Sequence, residues 1–177
     1  MRNRGQREIK GKRDTAIIRS PAQPKETGGK TMANNWKVRP LTAGDAEAIC
    51  EICSEDLGYP CTVELVKSKI AGLDSAREAV FVALSDDKCI GYIHVEEYDT
   101  LYFETMANIL GIAVRKNCQA GGAGTALLQA AEGWAKDRGI TLMRVISGAT
   151  RTGAHAFYES RGYVFGKMQK NFSKRLS

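Results

Sequence analysis

Apolar positions along this chain alternate between a period of two and a period near 3.6, and each change of period marks a new element. Residues 38–40 form a short strand candidate, after which Thr42-Ala43-Gly44-Asp45 places a capping hydroxyl three residues before an acid, a helix-start signature. Ala46, Ile49, Cys50, Cys53 and Leu57 follow at helical spacing, and Gly58-Tyr59-Pro60 ends that helix. Thr62 with Glu64 opens a second helix whose Val63, Val66, Ile70 and Leu73 lie along one face. Two β-rich runs, 79–84 and 89–95, flank the polar turn Ser85-Asp86-Asp87-Lys88 and predict a hairpin. A connection without clear pattern over 98–106 leads to a strand at 107–114.

The next junction organises the remainder. An apolar run, 109–114, enters Gln119-Ala120-Gly121-Gly122-Ala123-Gly124-Thr125, and an amphipathic helical pattern over 126–138 leaves it. Leu127, Leu128, Ala131, Trp134 and Ala135 share one face of that helix, and Gly139 supplies its stop. A strand at 141–146, a short helix at 154–161 and final strand material at 163–176 complete the pattern, with no internal repeat. A strand, a glycine turn and a helix N-terminus in succession aim unpaired N–H groups and the positive end of the helix dipole at one place. Phosphates suit that place, and glycines let them approach the main chain.

The 177 residues, 43% hydrophobic and 26% charged, fit one globular domain. The net charge of +6 is unevenly placed: residues 1–30 hold nine basic and three acidic side chains, and the remainder is balanced. The chain therefore divides into a basic, disordered tail at 1–35 and a folded domain at 36–177. The tail reads as solvated, with nucleic-acid binding as the competing role, and Met32 is an alternative starting residue. No apolar run approaches the roughly 20 residues of a membrane span, and no secretory h-region is found, so a cytoplasmic protein without membrane contacts is expected. Cys50, Cys53, Cys61, Cys89 and Cys118, odd in number and irregular in spacing, do not read as a disulfide framework. Cys50-x-x-Cys53 lacks a second Cys/His pair at zinc spacing, so these cysteines are read as core and no metal is expected.

The order β-α-α-β-β-β-α-β-α-β, with Gln119-x-x-Gly122-x-Gly124 between strand and helix, resembles the GNAT N-acetyltransferase superfamily. A second block, Ala154-His155-Ala156-Phe157-Tyr158-Glu159-Ser160-Arg161-Gly162-Tyr163, looks like that family's A-x-x-x-Y-E-x-x-G-[FY] segment. A P-loop would need a lysine after Gly124, where Thr125 stands, and a dinucleotide fingerprint would need its loop near the start of a βαβ unit. One departure from the family pattern is Arg151, which stands where many members have Asn.

The resemblance implies an α/β (α+β) fold, a mixed and mostly antiparallel sheet with helices on both faces, splayed where acetyl-CoA inserts. It implies acetyl transfer from acetyl-CoA to a primary amine, with the pyrophosphate at Gln119, Ala120, Gly121, Gly122, Ala123, Gly124 and Thr125. The coenzyme's pantetheine arm would lie along Ile112, Ala113 and Val114, and a main-chain N–H near Val114 would stabilise the tetrahedral oxyanion. Arg115 and Lys116 would add charge at the rim, and His155 would line the coenzyme site. Tyr158 is the expected general acid toward the departing thiolate; the competing reading makes it a core aromatic beside Phe157. Glu104 is the first candidate for general base, followed by Glu96 and Glu97, each of which also reads as a solvated surface acid. Together with Asp99, Glu55 and Asp56 these carboxylates suggest an acidic mouth and hence a small cationic acceptor. A protein N-terminal or lysine acetyltransferase and a non-catalytic coenzyme-binding module with a nucleic-acid-binding tail are the alternatives. A homodimer stays open.

Overall fold

The computed structural model describes residues 36–176, so the tail expected over 1–35 lies outside the described residues. Its sheet has five strands in spatial order, β1 (Lys37–Pro40), β2 (Glu78–Ser85), β3 (Lys88–Tyr98), β4 (Met106–Val114) and β5 (Met143–Val145). The first four run antiparallel in succession, and β5 joins β4 in parallel. The hairpin between β2 and β3 is tighter than its sequence suggests. Its centre is Asp86 (φ 48°) and Asp87 (φ 61°), two consecutive left-handed residues that match the twist of the flanking strands.

A parallel neighbour requires a crossover, and α3 (Ala123–Asp137) provides it on one face of the sheet. Leu127, Leu128, Ala131 and Ala135 are at most 1% exposed and meet Ala83, Ile93, Val95, Ala107 and Ile109 from the strands. Burying a leucine of this kind stabilises the fold by about 1.5–3 kcal/mol. Because side chains alternate along a strand, Val82 and Leu84 point the other way, into a second cluster with α1 (Ala46–Glu51) and α2 (Val63–Ala71). Cys50 and Cys53, expected in the core, are half-buried against that second cluster, together with Cys61. The first helix is less regular than its spacing implies: a 3₁₀ turn, Ala43–Asp45, precedes it and a π segment, Ile52–Asp56, follows it. No helix of the described residues is long and apolar enough to cross a membrane.

The final strand expected at 163–176 is not formed. After α4 (Thr152–Glu159) the described residues adopt no regular structure, and Val164, Phe165, Met168 and Phe172 are 68–91% exposed. Their β propensity is an expression of packing on a half-buried surface, and here no strand supplies a ladder for them.

Asp45 fastens β1 to the start of α1. Its carboxylate accepts two bonds of 2.8 Å from the Arg39 guanidinium, and two more from the N–H and hydroxyl of Thr42, each 2.8 Å. Arg39, aided by Thr42, holds its carboxyl at about 2, well below the usual range. A depressed carboxyl stabilises the fold above the unfolded value near 3.9, and that stabilisation is lost as pH falls from about 4 through 2. Because Arg39 is partly open to solvent, its expected size is about 1–2 kcal/mol. Asp45→Asn should lower the unfolding free energy from denaturant titration at pH 7 by that amount and flatten the acid limb between pH 4 and 2; equal acid limbs in both proteins would exclude the linkage.

Candidate active site

β5 pairs with β4 only through Ala107↔Met143, Asn108↔Arg144 and Ile109↔Val145. Below that point the strands are fastened. Arg144 donates to the Asn108 side-chain carbonyl (2.6 Å), whose amide donates to Glu96 (2.9 Å), a chain of bonds across β5, β4 and β3. Beyond Ile109 the strands separate, and a cavity of about 660 Å³ opens between them. The parting coincides with a β-bulge: His94 stands opposite Gly111 and Val95 opposite Ile109, so Leu110 has no partner on β3 or β5. Bulges take main-chain groups out of the ladder and re-aim them, here at the head of the cavity.

The far end of the cavity is the glycine turn. Residues Lys116–Gly121 wind a 3₁₀ helix, and Gly122, at φ +89°, turns the chain into α3 three residues earlier than the apolar pattern indicates. An L side chain at Gly122 would be strained in that conformation. The first α3 bond runs from the Ala126 N–H to the Gly122 carbonyl, so the N–H groups of Ala123, Gly124 and Thr125 precede the ladder and carry the positive end of the dipole. At Gly124 a Cβ would lie 3.6 Å from the Phe157 ring, within the space between α3 and α4. Arg161, just past α4, donates from Nε (3.1 Å) and Nη2 (2.8 Å) to the Thr125 hydroxyl, which fixes its charge over the first turn of α3. Free main-chain donors, a helix N-terminus and a guanidinium fit a pyrophosphate, and the open edge of β4 beyond Ile109 fits an amide-bearing arm.

Of the residues expected from the sequence, Ile112, Val114, Gln119, Gly122, Gly124, Thr125 and Tyr158 line this cavity. Gln119 also has a local task, since its side-chain amide donates to the Val114 carbonyl (3.0 Å) and closes the turn onto the strand. Ala113 and Ala123 are buried in the core, Ala120 belongs to the 3₁₀ turn, and the Gly121 carbonyl accepts from the Trp36 indole. His155 does not reach the lining. Its Nε2 pairs with the Gly148 carbonyl (3.0 Å) and so holds the loop between β5 and α4. Sequence reasoning missed Arg161 and the bulge at Leu110; the periodicity of a single strand cannot reveal a register shift against its neighbour.

Three electrostatic expectations are corrected. Glu104 lies off the cavity wall, exposed, in a loop that folds on itself through Thr105 to Asp99 (2.6 Å) and the Phe103 N–H to Thr100 (3.1 Å). Arg115 does not project to the phosphate end, because Glu51 takes it at 2.5 Å and Glu55 at 4.0 Å, while the Lys116 N–H donates to Asp56 (3.1 Å) and its ammonium to the Glu55 carbonyl (3.4 Å). No acidic mouth assembles either: Glu96 is bonded to Asn108, Glu97 to Arg138 (3.3 Å) and Asp99 to Arg77 (3.0 Å). Glu97 and Asp99 are thus paired with arginines distant in sequence, and Glu96 is held by a neutral amide. None lines the cavity.

Tyr158 sits on the inner face of α4, 8% exposed, between the rings of Phe157 and Tyr163. It is both a packed aromatic and a cavity residue, and its hydroxyl has no hydrogen-bond partner among the described residues. Burial raises its phenol above the ordinary value, with Arg151 opposing, so the group keeps its proton at neutral pH.

A mixed sheet opened between β4 and β5, with a helix N-terminus at the head of the opening, is the framework of an enzyme that holds a phosphate-bearing acyl donor. The chain matches the Acetyltransferase (GNAT) family over residues 46–163 and belongs to it; it is an acetyl-CoA-dependent N-acetyltransferase. No curated protein matches it in sequence. Among solved structures it is similar to an aminoglycoside antibiotic 6'-N-acetyltransferase from Acinetobacter baumannii, at 18% identity and TM-score 0.70 over 81% of this chain and 100% of that one. An aminoglycoside acetyltransferase from an uncultured soil metagenomic sample, in complex with trehalose, shares 21% identity at TM-score 0.67 over 83% and 100% of the chains. A third acetyltransferase, in complex with the bisubstrate analogue CoA-S-monomethyl-acetylneamine, shares 16% at TM-score 0.66 over 80% and 99%. At such identities the likeness shows the fold.

Charge-assisted hydrogen bonds of the Arg161 type are worth roughly 1.5–3 kcal/mol. Arg161→Ala should therefore raise the KM for acetyl-CoA about tenfold or more while kcat changes less than about twofold. An unmoved KM would remove Arg161 from the donor site.

Proposed function

We propose that the enzyme transfers acetyl directly to the primary amine of a small molecule, with donor and acceptor bound together in the cavity between β4 and β5. The observation that carries this reading is the cavity itself: it runs from the first turn of α3, past Tyr158, to Leu57 and Tyr59 in the segment before α2. One wall thus serves a phosphate-bearing donor and the opposite end is free for a second molecule. The structural neighbours named as aminoglycoside acetyltransferases support a small amine as the kind of acceptor this fold serves.

Acetyl-CoA supplies the activated acyl group as a thioester. In this reading the first turn of α3 and Arg161 hold the pyrophosphate, and the edge of β4 from Leu110 to Val114 orients the amide-bearing arm. In this reading the oxyanion donor is a main-chain N–H on the open edge of β4, near Val114 as expected or at Leu110, which stands outside the ladder. Tyr158 gives its proton to the thiolate as the thioester C–S bond breaks, which requires the protonated phenol that burial secures. With no carboxylate on the cavity wall among the described residues, the amine gives up its proton to water.

Two measurements test this. Tyr158→Phe should lower kcat by about a hundredfold or more, the usual weight of a general acid, with little change in the KM for acetyl-CoA; full turnover in the variant would refute the acid role. Thiol release from acetyl-CoA, followed over small amines and over peptides with free N-termini or lysines, should occur with the former. Turnover with peptides alone would assign the acceptor to protein amines.

A further inference from the structure

Two guanidinium groups line the cavity, Arg151 and Arg161, and no carboxylate does among the described residues. Neither arginine takes part in an ion pair of the described residues, although Arg39, Arg77, Arg115 and Arg138 all do. They stand at different ends. Arg161 is bound to Thr125 on the first turn of α3, the donor end. Arg151 donates from Nη2 to the Leu57 carbonyl (3.2 Å) and lies 5.8 Å from the centre of the Tyr59 ring. Leu57 and Tyr59 belong to the segment before α2 and not to the first turn of α3.

We infer that Arg151 selects the acceptor, and that the amine acetylated by this enzyme carries an oxyanionic group, a carboxylate or a phosphate, held by that guanidinium. An arginine presents five N–H donors, and the single bond to Leu57 leaves most of them directed elsewhere. Their fork matches the paired oxygens of a carboxylate or phosphate. A polycationic acceptor finds the opposite: two positive charges and none of the acids that could offset them. The same charge bears on the chemistry of the nucleophile. In an amino acid or a phosphate-bearing amine the substrate's own anion holds the proton on its ammonium group. Pairing that anion with Arg151 removes this support, and a nearby cation favours the neutral, attacking form of the amine. The arrangement thereby lessens the need for a carboxylate base, in keeping with a wall that has none. Arg151 also lies close enough for its charge to be felt at Tyr158, so an acceptor held there is beside the acid that completes the transfer.

The inference rests on the small-molecule reading above, and one set of rates separates the two. The full chain would be assayed with acetyl-CoA and four classes of small primary amine: 4-aminobutyrate and glycine, phosphoethanolamine, the uncharged-tail ethanolamine, and 1,4-diaminobutane. Expected is a kcat/KM at least about tenfold higher for the carboxylate or phosphate amines than for ethanolamine or the diamine, with the first two classes distinguishing which oxyanion is preferred. In Arg151→Gln that ratio should fall by about ten- to a hundredfold, the equivalent of one charge-assisted pair. Arg151→Lys should restore part of it, and Arg151→Glu should turn the preference toward the diamine. Direct binding of acetyl-CoA by each variant verifies that it is folded. A preference of the unaltered enzyme for the diamine overturns the inference and leaves small-amine acetylation standing. A rise in the KM for acetyl-CoA in Arg151→Gln, equal for every acceptor, also overturns it by assigning Arg151 to the donor. Turnover with none of the amines would remove the small-molecule reading and this inference together.

Discussion

The separation of β4 from β5 is the constraint on which the remaining architecture depends. Three residue pairs hold the strands together, and the chain Arg144–Asn108–Glu96 locks them at that level. Buried Asn108 has both ends of its amide engaged, so the lock leaves no unsatisfied polar group behind. One residue further on, Leu110 leaves the ladder, and from there the edge of β4 faces open space instead of β5. A parallel pair also obliges the chain to cross over, so the N-terminus of α3 must lie near the end of β4, where the strands are already apart. A glycine turn and helix N-terminus at the head of a cleft thus follow from one parallel pairing that stops early.

Charge is distributed accordingly. Outside the first thirty residues the chain is balanced, yet the balance is spatially uneven. The acids of the segment before α2 are held by Arg115 and Lys116, and those at the end of β3 and beyond by Asn108, Arg138 and Arg77. Those contacts join elements distant in sequence, and leave the cavity with arginine as its charged lining. Such a cavity attracts anions, as a site for a polyphosphate donor must.

Much of the fold was legible from periodicity because burial imposes it. Leu127, Leu128, Ala131 and Ala135 form a helical stripe since they face a sheet, and the alternation of Val82 with Ala83 follows from having cores on both sides. The place of Gly122, Gly124 and Tyr158 on the cavity wall was legible too, since a turn or helix face positions each of them and only the local element is needed. Partnerships were not. Glu96, Glu97 and Asp99 read as a mouth because they are neighbours in sequence, but cross-strand register and the end of α3 decide what each one meets. His155 was misplaced for the same reason, its partner being the loop carbonyl of Gly148. The apolar residues after Gly162 show the converse failure, in which a strand-like composition finds no edge to join.

The two ends of the cavity differ in how closely the protein determines them. At the end formed by the glycine turn, geometry is over-determined: a left-handed glycine, a helix N-terminus, the Gln119 bond to Val114 and the Arg161 bonds to Thr125 all fix the same turn. At the opposite end, one bond from Arg151 to Leu57 and the nearby Tyr59 ring join the start of α4 to a segment bounded by a π turn and Pro60. A fold that must keep its donor but can vary its acceptor concentrates constraint in this way, because loops on a rigid scaffold change without disturbing the core. In the proposed reading Arg151 stands on the boundary, where a single side chain alters the charge of the acceptor end without touching the turn assigned to the donor.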